Sequence, residues 1–147
     1  MKRKLLELAK AKVEIRLSEA KKAMEAAQNA ANEDTKSSAG DKFETSRAMA
    51  HNDLNLYSRQ WHEANLDWNI LESINPEKVF VLAGQGSLVE TSMGLFFLCI
   101  STGILEVDKK KVMLTSLLSP IGEVLKGAKK GEKVNFRGKE VKILSVN

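Results

Sequence analysis

Residues 50–71 read AHNDLNLYSRQWHEANLDWNIL, and their spacing decides the fold of the first half of the chain. Ala50, Leu54, Tyr57, Trp61, Ala64, Trp68 and Leu71 follow one another at steps of 4, 3, 4, 3, 4 and 3. Such steps keep one stripe on a helix of about 3.6 residues per turn, and a run this long marks a coiled-coil seam rather than a globular core helix. Upstream, Leu6, Ala9, Val13, Leu17, Ala20, Met24, Ala27 and Ala31 form a second stripe of the same kind. Between the stripes lies Asp34-Thr35-Lys36-Ser37-Ser38-Ala39-Gly40-Asp41, a cluster of turn and cap residues. Two helices joined by a short loop pack antiparallel. The pattern predicts a coiled-coil hairpin with arms roughly 45 Å long.

The style of the sequence changes at Asn75-Pro76, where the residue before proline disfavours helix. Residues 1–75 carry 12 basic and 12 acidic side chains, and residues 76–147 carry 11 and 7, so the net charge of +4 belongs to the second half. Gly40 is the only glycine before the break; eight follow it. Strand-like runs alternate with these glycines: 78–83, 87–91, 95–101, 104–107, 112–116, 133–136 and 140–146. A short helix is predicted over 120–126, opened by Pro120 and closed by Gly127. The expectation is an α+β chain, with a helical hairpin over 1–75 and a small α+β domain over 76–147.

Composition narrows the class further. A hydrophobic share of 43% is ordinary for a globular chain and too high for a disordered one. One cysteine, Cys99, and two histidines exclude a zinc finger built from the chain's own ligands. The lone cysteine also fits a reducing compartment, so a cytoplasmic protein is expected. The most apolar stretch, 95–105, falls short of the about 20 residues that span a membrane.

Few residues invite chemistry. No nucleophile–base set appears, and Cys99 lies in the apolar run Leu95-Phe96-Phe97-Leu98-Cys99-Ile100, which predicts a buried thiol. His51 and His62, eleven residues apart on one helix, are too distant to share a metal. Gly84-Gln85-Gly86 lacks a third glycine and precedes a strand, which excludes a nucleotide loop. Lys109-Lys110-Lys111 reads as a solvated hairpin turn.

The hairpin tip, near 33–44, is different. Between Glu25 and Glu44 there are five acidic and two basic residues. Asp41 followed by Glu44 satisfies a capping box for the second helix. The same two carboxylates at the end of a long arm also suit a divalent cation. Mg²⁺ takes octahedral oxygen coordination from one or two carboxylates, with further ligands from elsewhere. Both readings are open from the residues alone.

Two segments resemble the Gre-type transcript cleavage factors of bacterial RNA polymerase, the GreA/GreB family. One is Ser119-Pro120-Ile121-Gly122-Glu123-Val124-Leu125-Lys126-Gly127, continuing through Lys130-Gly131-Glu132 to Val134; the other is Gly40-Asp41-x-x-Glu44. The resemblance implies an FKBP-like second domain that docks at the rim of the polymerase's secondary channel. Ser119, Pro120, Ile121 and Gly122 are then the candidate partner contacts. It implies a hairpin that enters the channel, where Asp41 and Glu44 help hold a catalytic Mg²⁺ shared with the polymerase. The polymerase would hydrolyse the backtracked RNA 3′ end with that metal. The chain would be a monomeric accessory factor rather than an enzyme, binding its metal only weakly alone. Where the family has Asn, a small residue, Glu and Tyr, this chain has Thr45-Ser46-Arg47-Ala48. An alternative reading follows: a Gre-like regulator that occupies the channel without cleaving. A coiled-coil adaptor sharing only the second domain is the third.

Overall fold

The computed structural model describes residues 1–34 and 40–147, the side chains of 33–34 and 40–44 excepted. The two stripes form two helices of 33 residues each, α1 (Lys2–Asp34) and α2 (Gly40–Glu72). Every stripe position whose burial is described is inside or half-inside. Leu6, Ala9, Val13, Ala20, Ala27, Ala50, Ala64 and Leu71 are buried, and Leu17, Met24, Tyr57, Trp61 and Trp68 are half-buried. The chain forms two compact units: Ala11–Trp68, and Met1–Lys10 together with Asn69–Asn147.

Within the helical unit, Arg16 Nη1 meets Asp67 Oδ2 at 2.8 Å. Further along α1, Ala20 and Ala23 share a groove with Tyr57 and Gln60, which come earlier on α2. Advancing along one helix means retreating along the other, so the pair is antiparallel. Alanines at the facing positions leave room for close approach of the two backbones.

The second unit is built on six strands: β1 (Leu88–Thr91), β2 (Gly94–Cys99), β3 (Gly103–Val107), β4 (Lys110–Ser116), β5 (Lys133–Phe136) and β6 (Lys139–Val146). Their order is β3-β4-β2-β1-β6-β5. Only β2 and β4 are parallel, with Phe96 beside Met113 and Leu98 beside Thr115. A helix of six residues, α3 (Pro120–Leu125), packs on one face. There Val89, Phe96, Leu98, Leu125, Ala128 and Ile143 form the core, with Ile121 and Val134 half-buried against it. The alternate positions Phe97, Val112, Leu114, Leu105 and Val107 are buried as well, as are Leu5 and Leu71 in the same unit. This sheet has apolar residues inside on both faces, so β2 reads as a continuous apolar run rather than an alternating one.

The β3–β4 turn is Asp108-Lys109, with φ of 53° and 64°, the two-residue hairpin geometry that matches strand twist. The lysine run therefore begins in a turn, as its composition predicted. The predicted strand over 78–83 does not form. Leu82 makes one isolated antiparallel bridge with Lys129, and the rest of the segment joins no ladder. Ala83 is buried in the core and Phe80 is half-buried, with the Lys2 and Lys78 ammonium groups 5.5 and 4.8 Å from its ring centre, while Val79, Val81 and Leu82 are exposed. Burial lowers the Lys2 pKa below its ordinary value, and the neighbouring Glu77 opposes that shift. The described part of the second helix runs from Gly40, and the capping-box reading of Asp41 and Glu44 falls on side chains outside the described residues.

Candidate functional site

Two places bear on function, one in each unit. The first is the start of α2. Asp41 and Glu44 fall in its first two turns, three positions apart, a spacing that sets two residues on neighbouring points of one helix face. Their side chains, and residues 35–39 of the tip, lie outside the described residues. Arg47 follows Glu44 by three further positions and is exposed. Among the described residues no group of three or more His, Cys, Asp or Glu could hold a metal by itself.

The second place is the turn into α3. Ser119 caps the helix: its Oγ accepts from the Gly122 N–H at 3.0 Å and donates to the Ser116 carbonyl at 2.7 Å. Thr115 Oγ1 lies 2.5 Å from the same oxygen. A serine hydroxyl has one proton, already given to Ser116, so the Thr115 hydroxyl is the donor of this pair. Ser119 thus has its donor and both acceptor sites engaged inside the protein. Pro120 occupies the first helical position, where a missing N–H costs nothing. Gly122 is buried, and a Cβ there would sit 1.9 Å from the Ser116 carbonyl oxygen. Of the four residues, Ser119 and Gly122 are occupied with the turn, Pro120 is exposed, and Ile121 is half-buried.

Ile121 opens onto a groove of about 510 Å³ in this unit. The short α3 leaves part of the sheet face uncovered. Ile104 of β3 and Met113 of β4 stand side by side there, directly paired across the ladder and both exposed. Buried Phe96, half-buried Phe136 and exposed Met93 of the β1–β2 turn line it as well. That turn is held by Thr91 Oγ1, which accepts from the Met93 N–H and donates to the Gly94 carbonyl. Lys111 lines the edge, with Glu106 opposite it on β3. The Arg137 guanidinium lies 5.0 Å from the centre of the Phe136 ring. Two methionines and an isoleucine on an otherwise apolar concave face can adapt to an apolar partner.

The residues of this groove other than Ile121 and Lys111 carried no signal in the sequence. They come from separate strands, and only pairing Ile104 with Met113 and seating Ile121 beside them makes a surface. Cys99 is buried, as its apolar run predicted, and takes no part.

No family model matches the chain, and no curated protein matches it. Among solved structures it is similar to the transcription factor Gfh1, with 16% identity over 95% of this chain and 93% of that one, at a TM-score of 0.37.

Proposed function

We propose that this protein is a Gre-like accessory factor of RNA polymerase that stimulates cleavage of backtracked RNA. The observation that carries the reading is the position of Asp41 and Glu44: both fall in the opening turns of the second of two long antiparallel helices. That is where a hairpin delivers side chains into a confined site in another molecule. The Ser119–Gly122 signature adds support, because every residue of it serves a helix turn that sets Ile121 on an apolar groove.

In this reading the groove beside α3 is the docking face, with Pro120 and Ile121 among its contacts. Asp41 and Glu44 would hold a Mg²⁺ shared with the polymerase, and carboxylates are the donors that ion prefers. When bound, the ion would activate a water and stabilise a leaving oxygen. The work of this chain is to bring two carboxylates, three positions apart on one helix, to a site that supplies the other ligands. Among the described residues, no helix is long and apolar enough to cross a membrane.

The deciding experiment uses backtracked complexes with the cognate polymerase and follows RNA length. Addition of the protein should shorten the RNA, and Asp41→Asn should slow that step at least a hundredfold while binding persists. No stimulation by the wild type, or full stimulation by Asp41→Ala, would refute the reading. One observation favours a non-cleaving regulator instead: Arg47, a turn beyond Glu44, places a positive charge near the carboxylates. That alternative predicts polymerase binding and altered transcription, both unchanged by Asp41→Asn, with no shortened RNA.

A further inference from the structure

Strand β5 ends the sheet and pairs with β6 alone. Just before it, the Gly131 N–H donates to the Ile143 carbonyl and the Ile143 N–H donates to the Glu132 carbonyl, both at 2.8 Å. Glu132 therefore faces β6. Hydrogen-bonding groups alternate along an extended strand, so Val134 and Phe136 face β6 as well. The N–H and C=O groups of Lys133 and Asn135 point away from it. Among the described residues, no backbone group outside the ladder bonds to them. The side chains alternate too: Lys133 and Asn135 are exposed on one face, and Val134 and Phe136 are half-buried on the other.

A free strand edge is a template for one further strand. The charge around this one selects the occupant. Residues 126–142 carry seven basic and two acidic side chains, a net +5 in a chain whose total is +4. All seven bases are exposed, and among the described residues only Lys133 of them meets a carboxylate, Glu140 at 3.3 Å. Lys142 stands directly across the ladder from Lys133, an unfavourable like-charge pair that a further carboxylate beside them would relieve. A second copy pairing here would set one such basic surface against another, and lysine on an edge strand opposes that. A nucleic-acid backbone would suit the lysines, but its phosphates only accept and would leave both outward carbonyls unpaired. We propose that β5 is a β-augmentation site for an extended segment of another protein in which acidic and apolar residues alternate. The main chain of that segment pairs with Lys133 and Asn135, its acidic side chains lie on the Lys133 face, and its apolar ones lie beside Val134 and Phe136. Lys133 and Asn135 are not among the groove residues, and the test needs no polymerase.

The test uses the full chain, two labelled ten-residue peptides and a labelled ten-nucleotide single strand. One peptide alternates valine with glutamate and the other valine with lysine. Fluorescence anisotropy should show the acidic peptide binding at least tenfold more tightly than the basic one. Hydrogen exchange of the Lys133 and Asn135 amides should slow at least tenfold in its presence. Asn135→Pro removes an outward donor while sparing the bonds to β6, and should weaken binding at least tenfold. The pair Lys130→Glu with Lys133→Glu, which leaves the backbone alone, should reverse the preference between peptides. Equal affinity for both peptides, unchanged exchange at 133 and 135, or an unchanged preference in the charge-reversed variant overturns the proposal. An oligonucleotide that binds as tightly as the acidic peptide and displaces it assigns the lysines to phosphate and overturns it. A dimer whose 133 and 135 amides are protected without peptide assigns the edge to a second copy and overturns it too.

Discussion

At Gly122 a single hydrogen atom decides whether the α3 turn closes. A Cβ there would overlap the Ser116 carbonyl oxygen, and neither backbone can retreat without dragging a strand or a helix with it. Gly122→Ala should therefore cost about 3 kcal/mol, measured by urea unfolding, the upper range for overpacking a closed site. Ser119→Ala should cost about 2 kcal/mol, because it removes a helix cap and leaves the buried Thr115 hydroxyl without its acceptor. The cap was legible in Ser119-Pro120, since those residue types have local jobs at a helix start. The demand on Gly122 was not, because its neighbour Ser116 precedes it by a strand end and a turn.

Among the elements, the hairpin between β3 and β4 carries strain that a substitution can relieve. Lys109 holds a left-handed backbone with a side chain, at φ 64°. Lys109→Gly should raise stability by about 1 kcal/mol in thermal or urea unfolding, since that conformation costs an L-residue roughly this much. The seam of α1 and α2 behaves oppositely. Leu71→Ala should lose between about 2 and 5 kcal/mol, the range for truncating a fully buried leucine. Both helices were legible because a heptad stripe needs only local periodicity. The segment 78–83 misled for the same reason. Val79-Phe80-Val81-Leu82 has strand composition, but a strand exists only if a neighbour offers a ladder, and only Leu82 meets one, in a single bridge to Lys129.

For the molecule as a whole, the two candidate places should separate in experiment. Ile104 is more than half exposed, so Ile104→Glu should leave stability within about 0.5 kcal/mol. It should nevertheless weaken polymerase binding at least tenfold in a pull-down or anisotropy titration. Asp41→Asn should do the reverse, sparing affinity and removing RNA cleavage. The helix stripes, the short capped helix, the hairpin lysines and the buried Cys99 were all determined by the sequence itself. Each rests on residues within a few turns of one another, where spacing alone sets geometry. The strand order β3-β4-β2-β1-β6-β5 and the groove could come only from tertiary structure. So could the packing of Gly122 against Ser116 and the failure of 78–83 to join a ladder. These depend on which distant segments meet, and burial and hydrogen bonding across the sheet choose those meetings.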